Sequence, residues 1–435
     1  MQQKGWKFVG ENGTFVLENP TMSNYLYFPL VNEVGMMSSI TPTLHGDINT
    51  SQNSFATEPV SAIDLRNNKS SRNFWLLIDN TELWSATGYS AKQEANKFNE
   101  EKNENVTLEA GMLYHKITRE NKNLGIQSEI INFVPDTEDQ VELMQVKIKN
   151  TSDTTKRIEA TSAIPIYGRS ADNLRDHRHV TSLLNVIKTV KSGVEMTPTL
   201  SFDERGHQLN NLSYKVLGRC DQGNDPIGFI PVYEDFIGEG GSLTWPKSLI
   251  ESDTEMIESG EVIEGYEAVG ALKFKAFDLQ PMEEKIFVIA IVVSDKNDTK
   301  NYAELYCDVN NFEKNLKDNQ KYWQDLINKV EFKSDDKDFD RWMKWVTIQP
   351  TLRRLFGNSF LPHHDYGRGG RGWRDLWQDA LALLLMDPAP VRDMLYSSFA
   401  GVRIDGSNAT IIGSKPGEFI ADRNGISRTW MDHGA

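Results

Sequence analysis

The sequence predicts a large antiparallel β-sandwich followed by helices that open an all-α domain. Short apolar runs bounded by turn residues recur from Met1 to about Ser294, and near Lys300 the apolar period changes from two to helical. A charged break then separates one amphipathic helix from a second helical segment. These changes set the boundaries at 1–298 for the sandwich, 299–337 for a helical linker and 338–435 for the opening of the all-α domain.

Strand candidates, in order, are Asn73 to Ile78, Leu83 to Ala86, Val141 to Lys149, Arg157 to Ile164, Tyr214 to Leu217 and Lys285 to Val293. Turn clusters at Asp79-Asn80, Asn150 to Thr155 and Gly238 to Ser242 separate them. Met144, Val146 and Ile148 share one face at period two, and a polar loop leads on to Ile158, Ala160 and Ile164, a pattern that predicts adjacent antiparallel strands. Many such strands with few helical patterns between them mean one sandwich.

In the linker, Phe312, Leu316, Trp323, Leu326 and Ile327 recur at helical intervals with charged residues between, an amphipathic helix. Lys333 to Asp338 breaks it, and Phe339, Trp342, Val346 and Leu352 begin the next helix. A further helix starts near Trp373, where Asp375 and Asp379 share one face and Leu376, Trp377, Ala380, Leu383 and Leu384 occupy the others. A helix apolar almost all round is expected to be buried, so Arg374 and its carboxylates must be paired or must line a polar cavity.

Composition bounds the function. With 39% apolar and 25% charged residues over 435 positions, the chain reads as an ordinary globular protein of two or three domains. A net charge of −15 argues against nonspecific binding to nucleic acid or anionic membranes, which needs a basic face. The N-terminal stretch MQQKGWKFVGENG has no apolar core, and the runs around Phe287 to Val293 and Ala380 to Met386 are too short to span a bilayer. Cys220 and Cys307 form neither a disulfide framework nor a metal spacing, and a reducing cytoplasm is the expected location.

The chemistry concentrates between His363 and Ala435. Gly367, Gly369, Gly370 and Gly372 alternate with Arg368 and Arg371 and feed directly into the helix at Trp373, a junction able to grip a polar ligand. Arg368, then Gly372-Trp373-Arg374-Asp375 and Gln378-Asp379, resembles the R…G-[FYW]-R-D-x-x-Q-D signature of inverting β-glucoside phosphorylases, in spacing as well as residue type. That group includes cellobiose, chitobiose, 1,2-β-oligoglucan and 1,3-β-glucan phosphorylases, and the wording GRGGRGWRDLWQD is nearer to the oligoglucan and β-glucan branch.

The resemblance implies an N-terminal β-sandwich, linker helices and an (α/α)6 barrel with the active site at its mouth. It also implies that Arg368 and Asp375 hold hydroxyls of the sugar in subsite −1. An Arg beside an Asp offers donors and an acceptor in one rigid fork, although an ion-pair network holding the loop to the helix is the structural alternative. Asp379 and Gln378 divide between support of that grip and helix packing, and Trp373 and Trp377 between a pyranose platform and core.

Inverting phosphorolysis needs one acid to protonate the leaving oxygen, with phosphate on the opposite face as co-substrate and no other cofactor. The family's acid lies in a W-N-D motif further downstream that is not matched here. Trp430-Met431-Asp432 imitates it too close to Asp375, which leaves Asp432 the weaker alternative for the acid, and the resemblance puts Trp430 and Asp432 in a segment that lines the barrel mouth. About three or four helices follow Phe339, whereas a closed barrel needs twelve, so the chain is expected to be the N-terminal part of a longer polypeptide without phosphorolytic activity of its own.

Other segments carry weaker signals. The polar stretch Gly406 to Asn424 contains Ile411, Ile412, Phe419 and Ile420, as an ordered loop would, and the resemblance puts it beside the acceptor-sugar site. Tyr167 to His179 gathers Arg169, Asp172, Arg175, His177 and His179, either as a solvated loop or as a loop over an active site. The resemblance admits a homodimer that uses such a loop; a metal at His177 and His179 lacks further ligands at a suitable spacing. Asn24 to Thr41 is dense in aromatics with no nameable chemistry, and His363, His364 and Asp365 read as a structural loop. The competing functions are a noncatalytic carbohydrate-binding sandwich and an (α/α)6 hydrolase, which would need a second carboxylate to activate water.

Overall fold

The computed structural model describes the chain except residues 1–4, 23–25, 52, 62–63, 66, 100, 103, 175–177, 204–205, 252–253, 357–370, 400–401, 403, 405–407, 410, 413–418, 421–428 and 431–435. Side chains are also left undescribed at 172, 178–179, 202–203, 371–372, 374–377, 379, 398, 408–409, 411–412, 419–420 and 429–430. The helices are α1 (Ala91–Asn96), α2 (Arg178–Thr181), α3 (Tyr233–Ile237), α4 (Tyr302–Tyr306), α5 (Val309–Ile327), α6 (Lys337–Phe356), α7 (Trp373–Leu383) and α8 (Ala389–Phe399).

An 11-stranded antiparallel sheet is faced by a smaller six-stranded one, and the core lies between them. The strands Gln140–Asn150 and Glu284–Asp295 pair at the centre of the large sheet, in the register Met144↔Ile289. Their alternate residues serve different cores. Met144, Val146, Ile148, Phe287, Ile289 and Ile291 point into the sandwich. Val141, Leu143, Val288, Ala290 and Val292 point the other way and are covered by Tyr302, Tyr306 and Phe312 of α4 and α5. Both faces are therefore dry, which is why KIFVIAIVV reads as a continuous apolar run with no polar alternation.

One strand expectation is corrected. Gln140–Asn150 belongs to the large sheet, whereas the next strand, Lys156–Ile166, pairs with Asn73–Ile78 and Ala268–Lys273 in the small one. The polar link between them crosses from one layer of the sandwich to the other, and period-two patterning looks the same for a hairpin and for such a crossing. At the expected turn Asp79-Asn80, φ is 52° and 57°, left-handed values that Asp and Asn tolerate.

The linker folds as its period predicts. Asp308 caps α5 by accepting from the backbone N–H groups of Asn310 and Asn311, at 2.9 and 3.0 Å. Trp323, Leu326 and Ile327 at the far end of α5 meet Ile348, Leu352 and Leu355 of α6 and the hairpin tip Met112-Leu113 of the large sheet. The buried face of α6 is thus its C-terminal half, while Phe339 and Trp342 are exposed.

Candidate active site

The Glu33 carboxylate, in the turn between the strands Phe28–Val31 and Met37–Ile40, ties the sandwich to the end of α6. It accepts from Nη2 of Arg354 at 2.7 and 2.8 Å and from the Tyr322 hydroxyl at 2.9 Å. Asn32 braces the same turn by donating to the carbonyls of Pro135 and Asp139 and accepting from the N–H of Met36. Burial raises the Tyr322 phenol above its ordinary value, and Glu33 raises it further. Residues 357–370 follow directly on this anchored helix end. The aromatic-rich stretch Asn24 to Thr41, which carries no chemical motif, therefore supplies the clamp.

Beyond residue 370 the backbone brings together segments that are distant in sequence. Arg371–Gly372, the last residues of the Gly/Arg loop, pair antiparallel with Ile411–Ile412, in the register Arg371↔Ile412 and Gly372↔Ile411. Ile411–Ile412 pairs in turn with Phe419–Ile420, and Asn408–Ala409 pairs with Thr429–Trp430. Parts of the polar stretch 406–424 are thus strands laid against the entrance to α7, and Trp430 sits in register with Asn408.

Arg368 and Asp432 lie outside the described residues, as do His363, His364 and Asp365. Arg374, Asp375 and Asp379 lie on α7 and Trp430 on its short strand, but their side chains are outside the described set. Trp373 is buried and meets Phe399 of α8 edge-on, with ring centroids 5.3 Å apart. Gln378 is exposed.

The expectation that α7 is buried all round is corrected. Ala380 and Leu383 are buried beside Val391, whereas Leu381, Leu384 and Leu385 are 53%, 50% and 75% exposed. The helix packs on α6 and α8, and among its described apolar residues Leu381 is exposed. Tyr167 to His179 also differs from a simple solvated loop. Arg169 is buried, donates to the Tyr167 carbonyl, Thr181 Oγ1 and Glu267, and lies 4.4 Å from the Tyr167 ring. Arg175 and His177 lie outside the described residues, as do the side chains of Asp172 and His179.

Residues 64–309, more than half of the chain, match the family model described as glycosyl hydrolase 94, supersandwich domain. Residues 322–420 match the catalytic domain of the glycosyl hydrolase 94 superfamily. The chain belongs to the glycosyl hydrolase 94 family. Arg368, Trp373, Arg374, Asp375 and Asp379 fall inside the catalytic match, and the predicted fold class, a sandwich followed by the start of a catalytic domain, holds.

Among solved structures, a bacterial glucoamylase complexed with acarbose is 10% identical with a TM-score of 0.51, over 90% of this chain and 52% of that one. At that identity the likeness is one of fold. A candidate kojibiose phosphorylase from the human microbiome is 10% identical with a TM-score of 0.44, over 91% of this chain and 51% of that one. The chain spans about half the length of these two structures. No curated protein matches the sequence. Among the described residues no helix of this family member is long and apolar enough to cross a membrane.

Proposed function

We propose that this glycosyl hydrolase 94 chain is the N-terminal part of an inverting β-glucoside phosphorylase. The full polypeptide would cleave a terminal β-glucosidic bond of a gluco-oligosaccharide with inorganic phosphate, releasing glucose 1-phosphate. The observation that carries this reading is the spacing Arg368…Gly372-Trp373-Arg374-Asp375…Gln378-Asp379 inside the stretch matched to the catalytic domain.

In this reading Arg368 and Asp375 hold hydroxyls of the terminal glucose, Arg374 and Asp379 support them, Trp430 and Asp432 border the sugar, and buried Trp373 anchors the start of α7 in the core rather than forming a platform. A carboxylic acid protonates the leaving oxygen while phosphate attacks from the opposite face. Phosphate is already a competent nucleophile, so the site needs a cationic pocket and no second catalytic carboxylate. The strands paired with Arg371–Gly372 would select the acceptor sugar. We place the linkage as β-1,3 before β-1,2 before β-1,4, in the cytoplasm, with oligosaccharide and phosphate as partners and a homodimer as the assembly.

The test is incubation of the full-length gene product with glucose 1-phosphate and a panel of glucobioses, measuring inorganic phosphate. Phosphate release with one of them supports the reading, and hydrolysis of the glucobioses at a rate independent of phosphate overturns it in favour of an (α/α)6 hydrolase. The 435-residue chain, which has no W-N-D motif, is expected to release none.

A further inference from the structure

A concavity lies on the sandwich, and no residue of α7 lines it. It holds about 520 Å³ between the strand Glu82–Ser85, helix α1 and the strand Tyr114–Asn121. The hairpin tip Met112-Leu113 packs on α5 and α6, and Arg119 of the groove lies six residues further along the strand, roughly 20 Å at about 3.3 Å per residue. The groove therefore lies towards the end of these strands far from α5 and α6.

Its floor is built and rigid. The Glu104 carboxylate accepts from Trp84 Nε1 at 2.6 Å, Arg119 Nη1 at 2.7 Å, Asn121 Nδ2 at 2.9 Å and Gln93 Nε2 at 3.0 Å. Gln93 is itself held by Ser90, the N-cap of α1. Gly88 lets the guanidinium lie against the backbone. Its φ is +82°, a Cβ there would stand 2.2 Å from Arg119 Cζ, and Arg119 Nη2 reaches the Thr87 carbonyl at 3.2 Å.

The rim is different in kind. Asn96, Asn123 and Lys102 line the groove, and their side chains have no hydrogen-bond partner among the described residues. Phe98 follows the rim residue Lys97 and is 80% exposed, a large aromatic surface at the end of α1. Lys92, Lys97, Lys102 and Arg119 stand against Glu82, Glu94 and Glu104 around the groove, a near balance in which Arg119 is paired with Glu104 and Lys92 with Glu82, so the lining is not built for an anion. Uncommitted amides beside an open aromatic face suit a ligand with many hydroxyls and apolar C–H faces.

We propose that this groove binds a neutral hexose oligosaccharide, with Phe98 as stacking platform and Asn96 and Asn123 as hydroxyl partners. The site would hold a chain on the sandwich independently of the sugar site proposed on α7. It rests on its own geometry, and it stands or falls separately from the phosphorylase reading.

The experiment is saturation-transfer NMR on the full chain with laminarihexaose, cellohexaose and maltohexaose, using Asp375→Asn, which disables the sugar site proposed on α7, and the same variant with Phe98→Ala or Asn123→Ala added. Binding of at least one hexasaccharide is expected, weakened about tenfold by Phe98→Ala and by Asn123→Ala, equivalent to about 1.4 kcal/mol each. The thermal midpoints of the two rim variants should match that of Asp375→Asn alone. Absence of transfer from all three sugars would overturn the proposal. So would transfer that both rim variants leave intact.

Discussion

Arg72 is completely buried and donates to both oxygens of Glu142, at 2.5 and 3.0 Å, as well as to Ser38 Oγ and the Gly46 carbonyl. Removing one member of such a pair strands the other charge, a loss of about 3–5 kcal/mol. Arg72→Met should therefore lower the urea midpoint sharply, and Arg72→Met combined with Glu142→Leu should recover much of the loss. His115 lies near this pair with neither ring nitrogen hydrogen-bonded among the described residues, and burial, then the Arg72 charge, lowers its pKa to about 3. The native state resists protonation there while the unfolded chain accepts it at about 6.5. The contribution is fully present above pH 6.5 and is lost as pH falls towards 3, on the order of 5 kcal/mol in total. His115→Leu should flatten that acid limb, as urea titrations between pH 4 and 7 would show. None of this is legible in the sequence, because positions 72, 115 and 142 carry no motif and meet only through the sheets.

Among the elements, α5 is the most legible, since its apolar stripe and its Asp308 cap are both local features. Asp308→Ala should cost about 1 kcal/mol by removing two capped N–H groups, seen as a lower midpoint in chemical denaturation. The strand Glu284–Asp295 is legible as a strand but not in its role. Its unbroken apolar run shows two buried faces, and only the fold reveals that one is covered by a sheet and the other by α4 and α5. Helix α7 was misjudged for the converse reason. Composition reports how much apolar surface a helix carries, not how many neighbours it finds, and in this chain it finds α6 and α8. The stretch 406–424 reads as ordered from its isoleucines, yet its pairing with Arg371–Gly372 depends on two-residue strands too short to leave a pattern.

At the scale of the molecule, the joint between sandwich and helices is one hydrophobic cluster, centred on fully buried Trp323 and rimmed by the Glu33 clamp. Trp323→Ala should cost about 3–5 kcal/mol and split a single calorimetric transition into two, as the sandwich and the helices lose their common core. The amino-acid sequence by itself determined the layering, strands first and helices after, because period two and period 3.6 are properties of neighbouring residues. It also carried the Asp375 to Asp379 spacing, because one helical turn places those two positions on one face whatever surrounds them. Only the tertiary structure decided which strands share a sheet, which polar groups meet in the buried Arg72 cluster and in the groove at Glu104, and which side of α7 is covered. Those outcomes depend on contacts between residues tens to hundreds of positions apart, and no local period encodes them.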